Sequence, residues 1–121
     1  MAVSIKTKYG NIAVSNEVIA SIVGVAATDI YGIVGMASKS QIRDGMNMIL
    51  NRDNYTRGVV VRQEGDDTVV DVYIIVGYGV KISEVCRNVQ NRVKYNLETM
   101  LGAPTAKVNV IVQGVKILEA D

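Results

Sequence analysis

Histidine, phenylalanine and tryptophan are absent from this 121-residue chain, and cysteine and proline occur once each. Without histidine, no side chain has an ordinary pKa near neutrality, so a Ser-His or Cys-His nucleophile has no base. Zinc-type sites need clustered Cys and His ligands, which are also missing. Cys86 stands alone, so no intramolecular disulfide can form, as suits a reducing compartment. No charge of one sign prevails: 13 basic residues face 12 acidic ones, for a net charge of +1. Such a balance supplies no strong basic field for a phosphate backbone, and no DNA partner is expected. Nor does any apolar run approach the roughly 20 residues that cross a bilayer. Met1 to Tyr9 holds Lys6 and Lys8 without an apolar stretch, so no signal peptide is expected and the default address is cytoplasmic.

What the chain does have is valine and isoleucine within an apolar content of 49%. β-Branched side chains favour the pleated surface of a sheet. A length of 121 residues is expected to build one domain, residues 1–121, around one core. Val3, Ile5 and Thr7 alternate with polar residues, Gly10-Asn11 reads as a turn or bulge, and Ile12 and Val14 continue an extended segment. Ser15 or Asn16 can cap a helix reaching about Ile30, with Val18, Ile22, Val25, Ala26 and Ile30 as its expected buried stripe and Gly32 closing it. Ile33 to Ala37 reads as a short strand. Residues 38–57 read as a connecting loop or a short amphipathic helix, weakened by Gly45.

The second half is written more plainly. Val59 and Val61 oppose Val70, Val72, Ile74 and Val76 across a Gly65-Asp66-Asp67 turn, with Asp71 and Tyr73 on the other face. A helix from Ser83 to Leu101 buries Val85, Val89, Val93, Leu97 and Leu101, and Gly102 and Pro104 stop it. Lys107 to Val112 is the closing strand. The order β-α-β-β-α-β predicts an α+β two-layer sandwich, a mixed sheet with two long helices on one face. Strand order is left open by the pattern.

Candidate chemistry is sparse. Cys86 borders the helix's buried stripe and reads as a core residue. The Asp66-Asp67 pair is explained by turn chemistry. Gly77, Gly79 and Lys81 lie between a strand and a helix, where phosphate is often cradled, and form a candidate anion site without the spacing of a P-loop. Gly32-Ile33-Val34-Gly35 has the GxxG spacing of RNA-binding KH domains, although its middle residues are apolar. Ile42, Met46, Ile49 and Leu50, at helical spacing near basic residues, form a candidate interaction surface. Tyr55, Tyr73, Tyr78 and Tyr95 are expected to be exposed and could anchor an interface.

Several blocks carry a resemblance. Gly10-Asn11-Ile12-Ala13-Val14-Ser15-Asn16-Glu17-Val18-Ile19 resembles the opening of the bacterial alkaline-shock-protein, or envelope stress response, family. Tyr31-Gly32-Ile33-Val34-Gly35-Met36 is similar to its next block, and Thr56-Arg57-Gly58-Val59 with Val70-Asp71-Val72-Tyr73-Ile74-Ile75-Val76-Gly77-Tyr78-Gly79 to its hairpin and glycine turn. Val89-Gln90 with Val93, and Val108-Asn109-Val110 with Val112 and Gly114, resemble its second helix and last strand. The likeness runs from about Gly10 to Ile117. It implies a small cytoplasmic protein of Gram-positive-type bacteria without enzymatic activity or agreed catalytic residues. Some members sit beside the membrane through a partner and affect envelope homeostasis; others are encoded beside fatty-acid metabolism genes. The chain lacks the charged tails of some stress-induced members, so it resembles a compact housekeeping type.

The leading expectation is therefore a non-catalytic interaction or scaffold protein linked to cell-envelope or lipid homeostasis, with no cofactor. Its expected partner is a protein, membrane-associated or a lipid-metabolism enzyme, and self-association is part of the same expectation. Two alternatives stay open: a binding module for an anionic or acyl small molecule, and a KH-like binder of single-stranded RNA.

Overall fold

The computed structural model describes residues 2–38, 52–65, 67–102 and 106–117. Alternation of apolar and polar residues at the start makes strands Ala2–Thr7 (β1) and Gly10–Ser15 (β2), which pair antiparallel with each other. The extended segment expected at the start is thus a hairpin, closed by Thr7: its Oγ1 donates to the Gly10 carbonyl (3.1 Å) and accepts from the Tyr9 N–H (3.2 Å). This two-stranded ribbon stays outside the main sheet.

Ser15 caps the first helix, Asn16–Thr28 (α1), its Oγ accepting from the Val18 N–H at 3.4 Å. The buried face of α1 is Ile19, Ala20, Val23, Gly24, Ala26 and Ala27. Of the expected stripe only Ala26 is fully buried; Val18 and Val25 remain 49% and 46% exposed, and Ile22 and Ile30 pack at the core margin. The physical reason is that α1 carries no charge from Val18 to Thr28, so periodicity does not select a face. Small side chains select it instead. Gly24 has the ring of Tyr55 seated on it, so close that an added Cβ would lie 2.6 Å from the ring Cγ. Tyr55, expected at the surface, is accordingly buried, and Tyr73 is half-buried. The helix also ends earlier than Ile30: Asp29 is its C-cap, and Gly32 lies in the following turn.

The chain continues through Ile33–Met36 (β3), a 3₁₀ helix at Arg52–Gly58, Val59–Glu64 (β4), Asp67–Gly77 (β5), helix Ile82–Leu101 (α2) and Ala106–Lys116 (β6). The α+β class holds, and the sheet is mixed. β5 is its spine. One edge of β5 pairs parallel with β6 over Thr68 to Gly77; the other pairs antiparallel with β4 over Asp67 to Val72 and with β3 over Ile74 to Val76. The candidate interaction residues Ile42, Met46, Ile49 and Leu50 lie outside the described residues, as does most of the 38–57 connection.

Between sheet and helices lies the core: Val70, Val72, Ile74 and Val76 of β5, Val59 and Val61 of β4, and Val85, Val89, Val93 and Leu97 of α2. Four of the five residues expected for the α2 stripe are buried, because charged residues on its other faces leave one apolar seam, while Leu101, at the helix end, is only partly buried. Gly102 ends α2 in the left-handed region, at φ 70°. Burial of each such Val or Leu contributes about 1.5–3 kcal/mol, most of it offset by lost chain entropy. On the opposite face of the sheet, Asp71 accepts from Arg62 Nη2 (3.2 Å) and from Asn109 Nδ2 (2.8 Å), joining β4, β5 and β6 side by side.

Candidate functional site

Three tyrosines gather at one end of the molecule. α1 finishes there, β3 begins there, and the β5–α2 turn passes beside them. Asp29, the C-cap of α1, accepts a hydrogen bond and ion pair from Arg92 Nη1 of α2 at 3.0 Å, across 63 positions of sequence. Gly32 joins the turn to the sheet: its carbonyl accepts from the Gly77 N–H at 2.9 Å. Its φ of 97° lies in the left-handed region, and a Cβ there would come within 2.9 Å of Val85 Cγ2, so both backbone and packing require glycine. At the other side Tyr78 N–H donates to the Lys116 carbonyl at 2.9 Å.

The result is two adjoining grooves. One, of about 690 Å³, runs along Thr28 to Val34 and Gly77, Tyr78 and Val80. The other, of about 560 Å³, is bounded by Asp29, Ile30, Tyr31, Asn88, Asn91, Arg92 and Tyr95. Tyr31 borders both, and its exposure of 91%, with 74% for Tyr78 and 65% for Tyr95, leaves three phenol rings on the rim. Aromatic rims, amides and an arginine–carboxylate pair suit a contact that combines apolar area with directed hydrogen bonds.

Of the candidate anion residues, Gly77 is buried at the end of β5, Gly79 sits in the turn with φ 94°, and Lys81 is the N-cap of α2. The Lys81 ammonium lies 3.7 Å from the Glu84 carboxylate. The Gly32-Ile33-Val34-Gly35 pattern opens β3, with Ile33 and Val34 partly buried. Cys86 is partly buried beside the core, and that burial pushes its thiol pKa up from its ordinary value. Asp67 begins β5 with its carboxylate 3.4 Å from Lys107 Nζ. The sequence offers Tyr78 and Tyr95 as interface anchors alongside Tyr55 and Tyr73, but nothing in it joins them to Tyr31, Asp29 and Arg92.

Fold and site together define a small α+β domain with a tyrosine-rimmed end and, among the described residues, no group of three or more potential metal ligands. The fold recurs in the solved structure titled MamM CTD, copper form, with a TM-score of 0.54 at 17% identity, over 87% of this chain and 91% of that one; the likeness is one of fold. The chain belongs to the alkaline shock protein 23 family, described as having a cell envelope-related function, whose profile matches residues 4–117. It is 56% identical over 117 residues to the YloU protein of Bacillus subtilis (strain 168), covering 97% of this chain and 98% of that protein. The Spy1614 protein of Streptococcus pyogenes serotype M6 (strain ATCC BAA-946 / MGAS10394) is 52% identical over 118 residues, covering 98% of each. YqhY of B. subtilis (strain 168) is 28% identical, over 91% of this chain and 80% of its own.

Proposed function

We propose that this protein is a non-catalytic interaction protein of cell-envelope homeostasis, and that it receives a protein partner on the end rimmed by Tyr31, Tyr78 and Tyr95. The carrying observation is the convergence of three exposed tyrosines on two grooves around the Asp29–Arg92 pair. Tyrosine and arginine supply much of the energy of protein interfaces, because large rigid rings gain contact area at little entropic cost. The family's envelope-related description supports the setting. A partner at the membrane, or one in lipid metabolism, would connect the domain to the envelope; no helix among the described residues is long and apolar enough to cross a bilayer. Self-association belongs to the same reading.

The test replaces the native gene with a Tyr31→Ser/Tyr95→Ser double variant in cells whose envelope depends on the protein. Loss of envelope resistance with normal protein level and melting temperature is expected. Full complementation by the double variant would overturn the reading.

A second reading draws on the groove beside Gly77, Tyr78 and Val80, whose 690 Å³ lies within the range of small-molecule sites. An anionic or acyl ligand bound there, near Gly79 and Lys81, would raise the melting temperature, and Lys81→Ala would remove the shift. A flat response across nucleotides and fatty acyl compounds would remove the reading.

A further inference from the structure

The larger of the two grooves carries charge of one sign. Among the described residues that line it, Asp29 is the only charged one. α1 ends at this groove and brings the negative end of its dipole there, and its last turn holds no basic residue. Lys81, next to Val80 in the chain, is not part of the lining and lies 3.7 Å from the Glu84 carboxylate. Arg92 reaches Asp29 from the adjoining groove and takes one carboxylate oxygen, Oδ2, at 3.0 Å. The Asp29 side chain stays 70% exposed, which leaves Oδ1 open to a second donor.

Two further features narrow the choice of that donor. Tyr31 and Tyr78 border the same groove with their rings exposed, and the negative face of a phenol ring attracts a cation within about 6 Å of its centre. Much of the remaining lining is apolar: Ile30, Ile33 and Val80 pack at the core margin with part of each side chain still open. A carboxylate and aromatic rings beside an apolar wall suit a compact cation carried on an alkyl stem. Lysine has that form: its stem covers apolar surface while its ammonium, with three donors, reaches the polar groups. A purely apolar side chain would leave Oδ1 unused, and an anion would meet charge of its own sign.

We propose that the groove beside Tyr31 and Tyr78 receives a lysine side chain of the protein partner, its ammonium held by Asp29 Oδ1 and the phenol rings, its stem on Ile30, Ile33 and Val80. This rests on the reading that the tyrosine-rimmed end docks a protein. It adds the chemistry of the partner, whose docking segment presents a lysine.

The experiment titrates the full chain with Nα-acetyl-lysine methylamide and follows the backbone amides by two-dimensional NMR. The amides of Tyr31, Gly32, Tyr78 and Gly79 should shift and saturate. The norleucine analogue, which keeps the stem without the charge, should bind at least about fivefold more weakly. The glutamate analogue should leave these amides in place. Asp29→Asn should reduce the lysine probe to the norleucine level, whereas Arg92→Gln, which removes a competing cation, should tighten its binding. Equal binding of the lysine and norleucine probes, a preference for glutamate, shifts confined to other surfaces, or no shift would each overturn the proposal. So would movement of the same amides on dilution of the protein alone, because the occupant would then be a second copy. The comparison of probes on wild type decides the matter even if a variant does not fold. A groove indifferent to the lysine probe, in a protein whose Tyr31→Ser/Tyr95→Ser variant still fails in cells, would sink this inference and leave the docking reading standing. Full complementation by that variant is the separate failure of the docking reading.

Discussion

Gly24 shows how one missing methyl sets the position of a helix. In an exposed helix, Gly→Ala would stabilise by about 1 kcal/mol. Here the new Cβ would enter the Tyr55 ring near its base, at Cγ and Cδ2, where the side chain cannot swing aside. Overpacking of this kind costs about 1–3 kcal/mol and outweighs the propensity gain. Gly24→Ala should therefore lower the urea midpoint, and Tyr55→Leu should restore part of the loss in the double variant; a more stable Gly24→Ala would refute the packing. Cys86 gives a second residue-scale expectation. Burial favours its neutral thiol in the folded state, so the folded pKa lies above the unfolded one. The stability this contributes is complete below the unfolded thiol pKa and is lost as pH rises through the folded one. Alkylation at neutral pH should accordingly be slower than for a free thiol and should speed up only in the alkaline range. Rapid labelling at pH 7 would contradict it.

At the scale of elements, α2 and α1 make opposite cases. α2 interleaves charged residues with one apolar seam, so its buried face follows directly from spacing. Leu97 is fully buried in that seam, and Leu97→Ala should cost about 2–5 kcal/mol by transfer plus cavity, read as a shifted denaturant midpoint with unchanged slope. A change below 1 kcal/mol would show that the site collapses or is already loose. α1 is apolar on almost every side and was oriented by Ala20, Gly24 and Ala27, which have too little periodic signal to read in advance. Its tie to α2 through Asp29 and Arg92 is exposed at both ends, so Asp29→Asn should change stability by less than about 1 kcal/mol. The pair lines the same groove as Tyr31 and Tyr95.

The whole molecule is stiffest along β5 and least supported at its first ribbon. β5 is paired on both edges and buries Val70, Val72, Ile74 and Val76 completely. Among the described strands β1 and β2 pair only with each other, and an isolated two-stranded ribbon is marginal in water. Its side chains are mostly exposed, with Ile5 and Val14 packing against the core margin. Native-state hydrogen exchange should find β5 amides opening only with global unfolding and those of β1 and β2 opening at lower free energy. Equal protection in the two would show that the ribbon is anchored by contacts beyond those described.

The amino-acid sequence alone determined the α+β class, the β4–β5 hairpin, α2 with its seam and the absence of histidine chemistry. These are local in origin: alternation, spacing, caps and composition act within a few residues of one another. Only the tertiary structure decided that the first ribbon stays out of the sheet, that α1 turns Ile19 and Val23 inward, and that Tyr31, Tyr78 and Tyr95 share one end. Each of these depends on packing between segments far apart in the chain, such as Tyr55 against Gly24 or Arg92 against Asp29, and no local pattern records such contacts.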